Sequence, residues 1–384
     1  METPSPAPDA PGIQRVSTLE LFFDLVFVFA ITQLTDLVAH PHGPADYARA
    51  VLVAVPMMWI YLGFTWLTSN LAIARGLQRG LIFVAMAGFF VMALSLPTVF
   101  GAGGLPYGLG LLAVTAVHAG LFALAPTTSA RAIRGIAPFN FASALLVLGA
   151  AFVQPPWDWP LWAAASGVLV AAAARRRESG FVLSPAHFVE RNGLLLIVAL
   201  GESVVAVGIG AEGLPLTPAL LASAVLALFL SWMIWWSYFD RDDQRAEHAM
   251  TAADPIARAR MALLAFGLAQ FVMIFGIVVF AAGLKVAIAQ PLGHPEGVGV
   301  WNVAAGLALY LLGDRAYRRV LGLGPGRVRG LVALLAFATV PVGLAFGALA
   351  QLAACAVVVQ PLWMADEASR KREAQAERSA TGNA

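Results

Sequence analysis

The sequence predicts an all-α integral membrane protein of about twelve transmembrane helices, with two parallel six-helix halves as the arrangement that a weak internal repeat suggests. Two observations carry this expectation. Of the 384 residues, 60% are apolar and only 12% are charged, about half the charged fraction of a soluble globular protein. The mean hydropathy is +0.78, which leaves too few polar side chains to cover a water-soluble fold. The second observation is periodic: apolar runs near the ~20 residues needed to cross a hydrocarbon core recur along the chain, separated by short Gly, Pro and charged loops.

These runs are expected at 18–39, 47–69, 78–100, 107–125, 138–153 and 158–174, and then at 187–210, 217–239, 258–284, 299–318, 329–345 and 347–363. The last two form one unbroken apolar stretch, divisible at Pro341 or between Ala345 and Gln351, so an eleven-helix arrangement stays open. Lys and Arg concentrate in cytoplasmic loops of membrane proteins. With the N-terminus inside, only Arg49 and Lys285 of the 24 basic residues fall on the outer side, which favours an even number of crossings and a cytoplasmic C-terminus. The expected organisation is a cytoplasmic tail over 1–17, helical halves over 18–180 and 181–364, and a basic cytoplasmic tail over 365–384. Localisation in the bacterial inner membrane follows. Trp157, Trp159 and Trp301 at outer ends, with Trp66, Trp235, Trp236, Tyr238 and Trp363 at inner ends, read as interfacial belts.

A faint internal repeat accompanies the even count. Glu20 and Glu190 open the first and seventh helices, Met58-Trp59 resembles Ile234-Trp235, and Arg79 precedes Phe90-Val91-Met92 as Arg260 precedes Phe271-Val272-Met273. Apolar helices also resemble one another by composition alone, so coincidence is the competing explanation.

Carboxylates inside the bilayer are the most informative residues, because an acid at a helix centre costs roughly 2.5–3.5 kcal/mol on insertion scales and is by default functional. Glu20 and Asp24 stand four apart and so share one face of the first helix. Glu202 lies deep in the seventh. At 1.5 Å per residue, Asp24 sits roughly 13 Å above Arg15, and Glu202 roughly 16 Å above Arg191. That is the midplane depth at which secondary transporters keep substrate and coupling-ion sites. His118, central in the fourth helix, is a candidate partner or proton relay, and equally a packed neutral histidine. His187, Glu190 and Arg191 crowd the mouth of the seventh helix and form a candidate cytoplasmic gate, although Arg191 could instead snorkel to headgroups. The bland alternative for each acid is a protonated carboxyl bonded between helices.

Other chemistry has thinner support. Cys355 is the single cysteine, which excludes an intrachain disulfide or thiolate cluster. Asp240, Asp242, Asp243 and Glu247 could be half of a magnesium diphosphate site, but they alternate with Arg241 and Arg245 and lack a second cluster, as a solvated loop does. No nucleophile motif or metal-ligand spacing is present, so the expectation is a non-enzymatic protein with no catalytic residues, metal or cofactor. The basic residues are accounted for by topology and no nucleic-acid partner is expected. Membrane lipids and a small solute or ion are the expected partners.

At these residues the chain resembles the bacterial low temperature requirement A family of multi-pass membrane proteins. Leu19-Glu20-Leu21-Phe22-Phe23-Asp24-Leu25-Val26-Phe27-Val28 looks like the first-helix signature of that family. His187-Phe188-Val189-Glu190-Arg191-Asn192-Gly193-Leu194, running into Leu200-Gly201-Glu202-Ser203, looks like its central one, and Trp236-Ser237-Tyr238-Phe239-Asp240 resembles the end of its next helix. The resemblance covers residues 16–362. It implies no agreed substrate or reaction, and its motifs coincide with Glu20, Asp24, Glu190, Arg191 and Glu202. The expected function is a secondary transporter or permease of a small solute or ion. The alternatives are a non-transporting scaffold or sensor linked to cold growth, and a membrane-embedded enzyme acting on lipid diphosphates.

Overall fold

A computed structural model describes residues 17–41, 43–68, 76–124, 127–175, 183–293, 298–324 and 326–381. The tail over 1–16 and the basic residues Arg15, Arg75, Arg176 and Arg177 lie outside the described residues. Among those described, every regular element is helical. The chain runs through α1 (Thr18–Ala39), α2 (Pro44–Thr68), α3 (Gly76–Ser95), α4 (Gly104–Ala123), α5 (Thr127–Ala150), α6 (Asp158–Arg175), α7 (Pro185–Gly210) and α8 (Pro218–Phe239). It continues through α9 (Asp242–Ala252), α10 (Pro255–Met261), a π-helical stretch (Ala262–Ala269), α11 (Gln270–Ala289), α12 (Val298–Val320), α13 (Arg327–Ala338), α14 (Val340–Phe346), α15 (Ala348–Val358) and α16 (Gln360–Thr381).

The starts of these helices are written locally. Ser17 caps α1 in a reciprocal box with Glu20, its hydroxyl taking the Glu20 amide at 3.3 Å while its own amide donates to Glu20 Oε2 at 2.7 Å. Thr217 accepts the Leu220 amide at 3.2 Å ahead of Pro218 in α8, and Asp254 accepts the Ile256 and Ala257 amides ahead of Pro255 in α10. Gly347 separates α14 from α15 with φ +89°, a backbone conformation closed to residues with a side chain. The apolar run 329–363 therefore divides at Gly347, inside the interval 345–351 left open by the sequence, rather than at Pro341.

Each segment expected from the sequence overlaps a helix. Nine helical stretches among the described residues are long and apolar enough to cross a membrane: α1, α2, α3 with its 3-10 extension, α4, α7, α8–α9, α10–α11, α13–α14 and the span Ala348–Ala368. Helix α5 contributes a shorter apolar stretch, Arg134–Ala150, while α6 and α12 fall short by composition or length. The stretch 258–284 is longer than expected, because α10, the π turn and α11 run on without a break over Pro255–Ala289.

The most enclosed element is α11, packed on α1, α7, α8 and α12. It crosses α12 at glycines: a methyl group added to Gly306 would strike the Phe280 backbone, and one on Gly276 would strike Tyr310. Small residues let backbones approach closely where no water is available to drive association. Helices α3 and α4 repeat the device at Gly88 and Gly110. Tyr238, read from sequence as a belt aromatic, is instead fully buried and packs on Tyr317, while Trp157, Trp301 and Trp363 are exposed as a belt requires.

Candidate functional site

Helices α1 and α7 lie side by side and parallel, since three cross-helix contacts descend both in the same order. His187 Nε2 stands 3.8 Å from Glu20 Oε1 at the amino-terminal ends. One turn further, Arg191 grips Asp24 with a fork, Nη1 donating to Oδ2 at 3.0 Å and Nη2 lying 3.0 Å from Oδ1. Two turns beyond that, Thr32 Oγ1 donates to Glu202 Oε2 at 2.6 Å. Near the opposite end of α1, Lys285 Nζ of α11 donates to Asp36 Oδ1 at 2.7 Å.

The middle pair is dry. Asp24 and Arg191 are each 2% exposed, and Tyr61 of α2 closes the group by donating to Asp24 Oδ1 at 2.5 Å. Tyr61 is held in turn by aromatic packing: the Phe27 ring stacks on it at 4.0 Å, Phe23 packs against Tyr61, and Phe89 meets both Tyr61 and Phe27 edge-on. An ion pair so deep is net costly unless geometry and remaining hydrogen bonds are good, and breaking it strands a charge. A guanidinium fork on both carboxylate oxygens is the geometry that meets this demand. It is not complete, because Arg191 Nε has no hydrogen-bond partner. A cavity of about 10 Å³ adjoins, between Glu20, Thr68 and Arg191, room for a single water at most.

The residues singled out in the sequence divide into three groups here. Glu20, Asp24, His187, Arg191 and Glu202 all line the α1–α7 seam. Asp24 and Glu202 do not meet in one cavity: eight residues of α1 separate Asp24 from Thr32, a rise of roughly 12 Å, with buried Ile31, Leu195, Leu196 and Ala199 between. Glu190 faces outward and is exposed, because it neighbours Arg191 in sequence and so points to a different side of α7. The buried partner of Arg191 is Asp24, which also displaces the snorkelling alternative. His118 belongs elsewhere. It is 3% exposed, lies against Gly63 on the far side of α2 and contacts Phe64 and Phe122, with neither ring nitrogen in a well-formed hydrogen bond.

Tyr61, Thr32, Asp36 and Lys285 complete the seam and were not singled out in the sequence. Thr32 and Asp36 carry a legible signal as polar residues spaced at multiples of four after Asp24, a row that drifts ~40° per step around α1 and so turns from α7 toward α11. Lys285, one of two basic residues on the expected outer side, was another.

A second charged group was also missed. Arg329 of α13 reaches Asp314 of α12 by Nε, donates to the Ser237 carbonyl at 3.0 Å, and lies 3.6 Å from Asp242 and 3.5 Å from Asp366. Arg318 closes on Asp242 and donates to the Leu323 carbonyl at 2.9 Å, while Arg370 pairs with Asp240. Asp240 and Asp242, weighed above as half of a magnesium site, thus answer arginines rather than one another. Among the described residues no group of three or more His, Cys, Asp or Glu side chains is placed to hold a metal ion.

Comparison with known proteins gives the lineage. An uncharacterized protein of Rhizobium meliloti (strain 1021) is 29% identical over 334 residues, covering 80% of this chain and 78% of that protein. No solved structure matches. The sequence profile described as "Bacterial low temperature requirement A protein (LtrA)" matches residues 15–363, nearly the whole chain. Apolar helices in such number and a profile match of this extent identify a multi-pass membrane protein, and the chain belongs to the bacterial low temperature requirement A family.

Proposed function

We propose that the protein is a secondary transporter or permease of a small solute or ion, with twelve crossings, both ends in the cytoplasm of the bacterial inner membrane, and no catalytic role. The observation that carries the reading is the line of ionisable contacts along α1. Glu20–His187, Asp24–Arg191, Glu202–Thr32 and Asp36–Lys285 occupy one seam, and the sixteen residues from Glu20 to Asp36 rise roughly 24 Å. That is most of a ~30 Å hydrocarbon core. A single buried ion pair such as Asp24–Arg191 can be architecture; ionisable side chains in succession above and below it on α1 are what proton and ion paths through membrane proteins require.

Roles follow from depth. Asp24, clamped by Arg191 and Tyr61, closes the seam, and Glu20 with His187 faces the cytoplasmic entrance. Glu202 has one oxygen on Thr32 and is the exchangeable carboxylate, reached from the other side past Asp36 and Lys285. Two parallel halves are consistent with this frame: α1 packs on α3 as α7 packs on α11, and glycine contacts join α3 to α4 as they join α11 to α12. The α1–α7 seam is then the junction of the halves, where transporters of this construction place their sites.

The test is uptake into proteoliposomes reporting internal pH, challenged with pools of small solutes and ions. Flux that disappears in Glu202→Gln and Asp24→Asn supports the reading, and flux indifferent to both refutes it. The dryness of the Asp24 group favours one competitor, a non-transporting scaffold in which these acids only lock helices. On that reading the same variants lower thermal stability in detergent, and no pool yields flux above empty vesicles.

A further inference from the structure

Across α2 from the seam lies a cavity of about 380 Å³ between α2, α4, α5, α6, the start of α7 and the π-helical stretch before α11. Its walls are almost wholly apolar, with Trp59, Trp66, Phe122, Phe188, Phe266 and Phe271 supplying the aromatic surface. The opening is lateral: Leu268 and Val170, both on the lining, are also exposed on the flank that a bilayer covers. It sits at the level of the carboxyl-terminal part of α2 and the amino-terminal end of α7, in one leaflet rather than across both.

Two polar groups interrupt the apolar wall. His118 is 3% exposed and faces this space; the Gly63 backbone is its polar neighbour, and neither ring nitrogen makes a well-formed hydrogen bond with it. Asn140 is 5% exposed, and its Oδ1 accepts from Trp59 Nε1 at 2.9 Å. Because the indole only donates, that bond fixes the amide and leaves its NH₂ uncommitted. A buried polar group without a partner is rare in a folded protein and calls for a ligand or water. Water fills such a space poorly, since each molecule needs two to four polar partners and the wall offers too few. The occupant must therefore be mostly hydrocarbon and carry a hydrogen-bond acceptor to meet the Asn140 NH₂ and an imidazole N–H.

We propose that this cavity is a binding site for one acyl chain of a bilayer glycerolipid, entering laterally between α5 and the π-helical stretch, with its ester carbonyl accepting from His118 and Asn140. The π-helical geometry over Ala262–Ala269 supports the assignment, because such turns recur at functional sites. Here it brings Leu263, Leu264, Gly267 and Leu268 to the lining. Gly267 keeps the space open, and a side chain built there meets nothing closer than 3.7 Å. The site is independent of the α1–α7 seam, from which α2 divides it.

The full-length protein, reconstituted in vesicles of phosphatidylethanolamine carrying a photoactivatable diazirine in one acyl chain, provides the test. After illumination, labelled peptides are expected from residues 55–66 and 262–271, besides the general labelling of outward residues such as Phe83 and Leu94 on α3. Gly267→Leu, which narrows the cavity, is expected to lower the 55–66 label severalfold relative to the α3 label, which also certifies folding, while exposed Leu268 keeps a bulk-lipid label on 262–271. His118→Leu is expected to reduce the lipid retained through detergent purification, read by native mass spectrometry. Should Gly267→Leu fold poorly, Val170→Trp at the mouth substitutes for it. Labelling of 55–66 that is unchanged relative to α3 in both Gly267→Leu and Val170→Trp overturns the proposal, as does recovery of an apolar molecule without an acyl chain from the wild-type cavity.

Discussion

Two buried charged groups hold this molecule together, and they are built on opposite plans. In the α1–α7 seam, Asp24 has one cationic partner, Arg191, and the ionisable contacts are strung out one or two turns apart along the depth of the bundle. In the other group, Arg329, Arg318, Asp242, Asp314 and Asp366 share one another at a single level, tying α9, α12, α13 and α16 into a knot. A knot in which Arg329 and Asp242 each meet several partners keeps those two neutralised when one contact opens. A file of isolated pairs has no such reserve, so moving one member changes the charge that the next one feels. The knot suits a latch, the file a path.

The largest expected effect falls on the latch. Arg329→Met deprives Asp314, which is fully buried, of its cation and leaves Asp242 and Asp366 with one partner fewer. A loss of about 3–5 kcal/mol is expected for a stranded buried charge, read as a collapse in yield and in thermal stability in detergent. No single compensating substitution should restore it, because Arg329 serves three carboxylates.

The seam should behave differently. Asp24→Asn strands Arg191 and is expected to cost about 3 kcal/mol, the lower end of that range because Tyr61 and the amide oxygen still accept or donate hydrogen bonds. Combining Asp24→Leu with Arg191→Met removes both charges, and apolar replacement of a whole buried pair is often neutral. Thermal melts of the single and double variants form a cycle that separates the plans: recovery of stability without recovery of flux marks a path, while recovery of both marks simple architecture.

Smaller effects sharpen the contrast. Glu202→Gln keeps an acceptor for the Thr32 hydroxyl, so its stability should change by less than about 1 kcal/mol while flux is lost. Asp36→Asn removes a partly exposed pair with Lys285, for which about 0.2–1 kcal/mol is expected, fading as salt is raised.

Helical class, membrane residence and most helix positions were legible in the sequence because a bilayer imposes a length and a polarity on each crossing. The acids Asp24 and Glu202 stood out for the same reason. What was not legible was pairing. Arg191 looked like an interfacial residue beside Glu190, since sequence neighbours are visible and neighbours across 167 positions are not. Asp314 and Arg318 announced themselves less than they could have: a carboxylate and a guanidinium four apart in one apolar helix share a face, yet together with Arg315 and Arg319 they read as a basic loop margin. Tyr61 gave no signal at all, because a tyrosine among apolar residues packs equally well with or without an acceptor.

The most direct measurement is pH-reported flux in proteoliposomes of wild type and Glu202→Gln, prepared side by side and matched for folded protein by size-exclusion chromatography. Ion or solute movement above empty vesicles in the wild type, reduced to that background by one amide substitution with an unchanged melting temperature, is the expected result. Equal flux in the two proteins, or a wild type no better than bare lipid across every solute pool, would contradict a transport path along the α1–α7 seam.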